Sequence, residues 1–190
     1  HYQLFPAVLP YVIELSAINS SIIENNTFIN NNNTLLINTG SLNNTIHSNT
    51  LRNNSYGPIF TSSYNNTIYN NYFNNTFGPS DNQNNSWNTS YTCNTTNILG
   101  GDCIGGNFWS AYDYFGADTT GDGIGDTQIP FNFLNQINAT EDLSVATGDF
   151  LPLVSVQVAC GTITKTTTLT QNITAAGDCF IITADNIVLD

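Results

Sequence analysis

The 190-residue sequence has few charged side chains and almost no basic ones. Charged residues make up 8% of the chain, against roughly a quarter in an average soluble domain. Arg52 and Lys165 are its two cations and stand against fourteen acids, so the formal net charge is −12. Binding to phosphate backbones or anionic membranes needs clustered Lys and Arg, so this composition argues against nucleic acid and anionic lipid as partners. No stretch reads as a signal peptide or a membrane span.

Residues that build catalytic and metal sites are also scarce. The chain has no methionine, two histidines and no Cys-x-x-Cys pair, which argues against a zinc site. A uronic-acid lyase needs a base and cations beside the substrate carboxylate, whereas the two cations lie far apart in the sequence. A glycoside hydrolase needs two facing carboxylates, and the first eighty residues offer only Glu14 and Glu24. We therefore expect no enzymatic activity.

Asparagine, in contrast, is abundant, and twelve asparagines stand in an Asn-x-Ser/Thr frame without proline. This triplet is the acceptor for N-linked glycans and indicates exposed surface on a secreted protein. An Asn- and Thr-rich chain forms some triplets by chance, but ten of the twelve fall within residues 19–96. Glycans would supply the solubility that charge does not; the alternative is that amides and hydroxyls suffice. The predicted glycosylation sites are Asn19, Asn25, Asn32, Asn43, Asn53, Asn65, Asn74, Asn84, Asn88, Asn94, Asn138 and Asn172.

A repeat underlies this region, in three segments that begin at Ile18, Leu42 and Tyr64, about 24 and then about 22 residues apart. Short apolar pairs in each segment are separated by Asn-rich corners, and segments that are short, β-branched and bounded by turns indicate strands. The sequence therefore predicts an all-β parallel β-helix. A leucine-rich repeat lacks its Leu frame here, and a β-sandwich does not explain the regular return. The apolar pairs are Ile22/Phe28, Ile46/Leu51 and Ile68/Phe73.

The phase of the repeat separates two kinds of asparagine. Strand alternation along residues 42–46 places Asn43 and Thr45 on one side, and Leu42, Asn44 and Ile46 on the other. We therefore expect Asn43 to face solvent and Asn44 to bond to the backbone and to stacked asparagines of the next coil.

Residues 105–126 join an aromatic cluster to an Asp-Gly run, and residues 149–153 read Asp-Phe-Leu-Pro-Leu. Behind Asn-rich coils, this segment resembles the closing segment of NosD-like right-handed β-helix proteins, and residues 160–190 resemble their opening coil. The resemblance covers most of the chain from Ile18 onward and implies a right-handed parallel β-helix. We expect the aromatic residues to cover the open apolar end of the coils; they are Phe108, Trp109, Tyr112, Tyr114 and Phe115.

The Asp-Gly run allows two interpretations. Asp118, Asp122 and Asp126 lie four residues apart among glycines, and calcium favours such Asp-rich loops. The EF-hand frame is only partly met, because Thr120 stands where the resembled family usually has Asp. The alternative is a polar turn whose Asp side chains accept bonds from backbone amides.

Cysteine usage suggests two disulfides in an extracellular setting. Three pairings of Cys93, Cys103, Cys160 and Cys179 can be drawn. We favour the local pairing, Cys93–Cys103 with Cys160–Cys179, which closes short loops.

The predicted order of segments is β-helix coils (1–100), a closing segment (101–155) and the opening coil of a following or neighbouring unit (156–190). In the resembled family the opening coil comes first, so this chain reads as one period of a tandem array or a subunit cut out of phase. Matching uncapped solenoid ends associate head to tail into open filaments. We therefore expect a structural, secreted or cell-surface glycoprotein that assembles with copies of itself into a filament or fibril.

The sequence and the resemblance suggest two other functions. A surface adhesin or carbohydrate-binding module without polymerisation could use Tyr56, Tyr69 and Tyr72 to stack on sugars. The resembled family is linked with copper-enzyme maturation, but copper favours Met, Cys and His ligands, and this chain is poor in them.

Overall fold

The computed structural model describes residues 10–81, 83–133, 137, 148–155, 161–164 and 180–188. By contact density the chain divides into two compact units, residues 1–155 and 156–190. The described residues form β1 (Tyr11–Ser16), β2 (Ile22–Glu24), β3 (Thr27–Ile29), β4 (Asn33–Asn38), β5 (Thr45–His47), β6 (Thr50–Arg52), β7 (Ile59–Phe60), β8 (Thr67–Tyr69), β9 (Tyr72–Asn74), β10 (Ser80–Asp81), β11 (Thr92–Cys93), β12 (Cys103–Ile104), β13 (Phe108–Trp109), α1 (Ser110–Phe115), β14 (Gly161–Ile163) and β15 (Phe180–Ile182).

Three parallel sheets build the first unit, coil on coil. Their strand orders are β1-β4-β7-β10, β2-β5-β8 and β3-β6-β9-β13. Equivalent residues of successive coils pair directly, so Ile23 lies beside Ile46 and Ile46 beside Ile68. The coil-to-coil contacts span 23 and then 22 residues. The predicted parallel β-helix is thus confirmed.

The predicted register of the first coil was wrong by one residue. Leu42 pairs with Asn19 rather than with Ile18, so Ile23 occupies the inward position and is 8% exposed. Ile22, which the sequence alignment matched with Ile46, is 64% exposed. The error arose because Ser20, and not Asn19, takes the left-handed corner position in this coil. The other predicted core residues, Phe28 among them, are buried as expected.

Inward columns of apolar side chains form the core of the stack. In one column Phe28 pairs with Leu51, which pairs with Phe73, which in turn pairs with Trp109. All four are at most 5% exposed. Full burial of such side chains contributes about 1.5–3 kcal/mol each, so the columns hold successive coils together.

Aromatic side chains cover the closing end of these columns. Trp109 stacks on Phe73 with ring centroids 4.6 Å apart and packs beside Trp87 at 5.5 Å. Phe108, Trp109 and Tyr112 are all buried, as predicted, and the side chains of Tyr114 and Phe115 lie outside the described residues. The short helix α1 that carries Tyr112 was not predicted, since six residues are too few for a helical apolar stripe.

The second unit contains a parallel pair, β14 and β15, in which Ile163 pairs with Ile182. Ile163 is 7% exposed, whereas Ile181 and Ile182 are 61% and 51% exposed. Apolar side chains on this described strand therefore face outward.

Candidate functional site: glycan acceptors at the corners

Four of the asparagine triplets coincide with a three-residue frame at the corners of the coils. The first residue of the frame is exposed and has a positive φ between 55° and 57° in Asn25, Asn43, Asn53 and Asn65. Asparagine is one of the few non-glycine residues that adopt this left-handed conformation readily. The second residue turns inward, and the third is Ser or Thr, which opens the next strand in β3, β5 and β8.

The inward asparagines of the frame form three ladders along the stack. From the second member of each ladder onward, the carboxamide oxygen accepts bonds from the backbone and side-chain N–H groups of the preceding ladder asparagine, as Asn66 does from Asn44 at 2.9 Å each. Within each described ladder, hydrogen bonds connect every asparagine to the next. The ladders consist of Asn44, Asn66 and Asn85; Asn26, Asn49, Asn71 and Asn107; and Asn31, Asn54 and Asn75.

Ladder asparagines use both hydrogens of their amide nitrogen. Nδ2 of Asn66 donates to the Ser41 carbonyl at 3.2 Å and to Oδ1 of Asn85 at 2.9 Å. Nδ2 of Asn49 donates to the carbonyls of Ile23 and His47 and to Oδ1 of Asn71. These side chains are therefore structural, as predicted for Asn44 and its equivalents.

Nine of the ten described triplet asparagines face solvent. They are Asn19, Asn25, Asn32, Asn43, Asn53, Asn65, Asn74, Asn84 and Asn94. Strand alternation was the wrong reason for the outward orientation of Asn43 and Asn65, because their left-handed backbone places them in the corner before the strand begins. Asn138 and Asn172 lie outside the described residues.

Asn88 is the exception among the described triplets, because it is only half exposed. Its Nδ2 donates to the Thr89 carbonyl at 3.2 Å, and its Oδ1 accepts from the Phe150 N–H at 3.5 Å. Asn19 is exposed, and its Oδ1 accepts from the Leu42 N–H at 2.9 Å.

Two of the ladders end on buried carboxylates, a feature that sequence reasoning missed. Asp81 accepts from Nδ2 of Asn85 at 3.0 Å and from the Trp87 indole at 2.8 Å. Asp149 accepts from the Asn107 backbone at 2.6 Å and from the Trp109 indole at 2.9 Å. Asn85 and Asn107, the last amides of these two ladders, each still donate onward, so the next position needs an acceptor, which a carboxyl oxygen provides.

Burial perturbs both terminal carboxylates. Loss of solvation raises the pKa of Asp149 to about 7, although its hydrogen bonds from Asn107 and Trp109 act in the opposite direction. Burial likewise raises the pKa of Asp81. For Asp81 the sequence signal is Trp87, six residues further on, where the Asn columns stop; Asp149 lies 40 residues from Trp109 and has no such local signal.

The Asp-Gly loop directs its carboxylates at its own backbone. Asp118 accepts from the N–H groups of Gly121 and Gly123 at 2.6 and 2.8 Å, and Asp122 accepts from Ile124 at 2.9 Å. Asp126 accepts from the backbone and hydroxyl of Thr119 at 2.7 Å each, and these bonds lower the pKa of Asp126. These bonds favour the polar-turn interpretation, and calcium binding stays a prediction.

The family comparison covers the coils and the start of the closing segment. A family model described as periplasmic copper-binding protein (NosD) matches residues 10–114. The chain belongs to the NosD family. No curated protein and no solved structure matches the sequence.

The family description locates NosD proteins in the periplasm, consistent with the expectation of a protein outside the cytoplasm. Within the described part of this NosD chain, no helix has the length and hydrophobicity of a membrane span. The same residues contain no cluster of three or more His, Cys, Asp or Glu side chains that could hold a metal ion.

One predicted disulfide is present in this NosD chain. Cys93 and Cys103 are bonded at 2.01 Å and join the antiparallel pair β11 and β12. Nearby, the Tyr91 hydroxyl donates to Asp122 at 2.9 Å, which raises the pKa of Tyr91. Cys160 and Cys179 lie outside the described residues.

The tyrosines considered for sugar stacking contact other rings. Tyr56 stacks on Phe77 at 5.0 Å, Tyr69 on His47 at 5.1 Å, and Tyr72 on Phe108 at 4.5 Å. Tyr56 is 40% exposed, whereas Tyr69 and Tyr72 are half-buried. Each tyrosine thus presents at most one free face to a ligand.

Calcium binding can be tested by thermal unfolding. Because each of the three carboxylates already accepts at least one backbone hydrogen bond, we expect the melting temperature to be the same in millimolar calcium and in chelator. The matched variant Asp122→Asn should behave identically under both conditions. A calcium-dependent rise in the wild type that Asp122→Asn abolishes would favour the calcium site instead.

Proposed function

We propose that this chain is a structural, N-glycosylated β-helix subunit outside the cytoplasm that assembles head to tail with its own copies into a surface filament or fibril. The observation that carries the proposal is the division of asparagines between buried ladders and exposed triplets. It gives the stack an inner set of side chains that hold the coils and an outer set available for sugar. The NosD family's periplasmic description supports the location.

Composition supports the glycan coat. The chain exposes hydroxyls and amides but has only 8% charged residues, so covalent sugar would supply much of the surface polarity. The Asn-x-Ser/Thr frame also suits the corner fold itself, because a left-handed Asn, a ladder Asn and a strand-opening Thr fill the same three positions. Mass spectrometry of glycopeptides from native material tests the coat.

Exposed apolar side chains support assembly. The aromatic cluster and the carboxylate ladder ends close the first unit at one end, so extension through that end would need to displace them. The first coil exposes Val12 and Ile22, at 51% and 64%, and the second unit exposes Ile181 and Ile182. Contact between these surfaces of different copies would bury apolar area, which is the main favourable term in association.

Electron microscopy and sedimentation of native material test this assembly. We expect filaments in the wild type and their loss in an Ile181→Asp/Ile182→Asp variant, because a charge would be buried in the contact. Thr61→Asp, exposed beside β7 of the first unit, is the matched control and should still polymerise, because it adds negative charge away from the proposed contact. A wild-type protein that sediments as a monomer at every concentration would refute head-to-tail assembly.

An adhesin or carbohydrate-binding module is the second candidate, favoured by the exposed ring pair Tyr56 and Phe77. Binding of soluble polysaccharide that Tyr56→Ala abolishes would support it. Copper binding, named in the family description, is not extended to this chain. Copper favours Met, Cys and His ligands; the sequence has no Met and two His, and two of its cysteines are joined in a disulfide.

A further inference from the structure

We propose that the state of the amide nitrogen within the corner frame, and not the triplet alone, decides which asparagines carry sugar. This inference rests on the proposed function, since it presumes that the protein is glycosylated. It divides the ten described triplet asparagines into nine acceptors, which are the exposed set, and one that is spared, Asn88. It also predicts that a triplet placed on a ladder asparagine will stay unmodified.

The chemistry of the linkage sets the requirement. An activated glycosyl phosphate or diphosphate donor supplies the sugar: the bond from its anomeric carbon to the phosphate oxygen breaks, and a bond from that carbon to Nδ2 forms. The phosphate leaves with the bonding electrons, and one amide proton is lost to a base. The acceptor therefore needs an Nδ2 hydrogen that the fold does not use, and space beside it.

Ladder asparagines in the middle of the stack fail both parts of this requirement. Asn66 and Asn71 are 0% exposed. Nδ2 of Asn71 donates to the carbonyls of Ile46 and Tyr69 and to Oδ1 of Asn107. Substitution of either hydrogen by a sugar would break the ladder and open the core.

The exposed triplet asparagines meet the requirement. Asn43 and Asn65 lie in equivalent corner positions of neighbouring coils, and both are exposed. Asn19 uses its Oδ1 as an acceptor, which a glycosylated amide retains, so it stays available. Asn88 uses one Nδ2 hydrogen on the Thr89 carbonyl and fails on space, because it is half-buried and the Phe150 N–H donates to its Oδ1.

Two single substitutions in one coil test the first and the second position of the frame separately. Asn32→Thr creates a triplet at Asn30, which is exposed and has a φ of 59°. Asn33→Thr creates a triplet at Asn31 and preserves the one at Asn32. Nδ2 of Asn31 already donates to the Ile29 carbonyl at 3.2 Å and to Oδ1 of Asn54 at 3.1 Å. The two variants thus place a new acceptor on adjacent residues with opposite hydrogen-bonding states.

The test is site-resolved glycopeptide mass spectrometry of the wild type and both variants, produced in a cell that glycosylates the wild type. In the wild type we expect sugar on the nine exposed asparagines and none on Asn88. In Asn32→Thr we expect sugar on Asn30, and in Asn33→Thr we expect Asn31 to stay unmodified. Sugar at Asn31 or Asn88 at the level of the exposed sites would overturn the inference. If the Asn33→Thr variant does not accumulate, glycan occupancy of Asn88 in the wild type and of Asn30 in the Asn32→Thr variant still tests the inference. Absence of sugar at every site would instead refute the proposed coat.

Discussion

Replacement of Asn66 by alanine should lower the free energy of unfolding by about 2–6 kcal/mol, because two buried donors each lose an acceptor at about 1–3 kcal/mol. Asn66 is 0% exposed and accepts from both the backbone and Nδ2 of Asn44. The substitution also removes the donors that reach Ser41 and Asn85. Equilibrium denaturation in urea measures the loss.

Asn65→Asp is the matched control, one residue away on the same corner. Asp tolerates the left-handed backbone almost as well as Asn, and Asn65 is exposed. We therefore expect the free energy of unfolding to change by no more than about 0.5 kcal/mol. Equal losses for the two variants would contradict the division into ladder and surface asparagines.

Stability should fall as pH rises from about 4 to about 7, and Asp149 is the expected main cause. Burial raises the pKa of Asp149 in the folded protein from 3.8 to about 7, so in this window the folded state holds a proton that the unfolded state has released. The proton on Asp149 contributes most to the free energy of unfolding below pH 4. This contribution, up to about 4 kcal/mol, is lost as pH rises through the pKa of Asp149 in the folded protein. Denaturation midpoints at pH 4, 5.5 and 8 measure it.

Asp149→Asn supplies the reference for this pH dependence. The variant keeps the shape of the side chain but cannot titrate, so its stability should vary less between pH 4 and pH 8 than that of the wild type. Asp81, whose pKa burial also raises, titrates in both proteins and cancels in the comparison. The same slope in wild type and variant would mean that Asp149 stays ionised throughout.

The sequence predicted those features that repeat. Apolar residues such as Ile46 and Ile68 recur once per coil and point inward. The period and phase of the apolar residues in the sequence therefore identify the parallel β-helix. The Asn-Asn-Thr corners identify both the ladder and the exposed asparagines, because one conformation is required at every turn.

Features that occur once escaped prediction. The register error at Ile18 arose where the first corner uses Ser20 and Ser21 in place of two asparagines. The ladder ends depend on contacts across long separations: Asp149 lies 42 residues from Asn107, to which it bonds. Helix α1 forms at the closing end, where the packing of Tyr112 and Trp109 overrides any local pattern.

A density map of native material, by cryo-electron microscopy or crystallography, tests the central claim most directly. We expect parallel coils with continuous columns of ladder asparagines such as Asn66 inside. We also expect branched density that extends from Nδ2 of exposed asparagines such as Asn43 and Asn65. Bare Nδ2 atoms at those corners, or sugar attached within the columns, would contradict that claim.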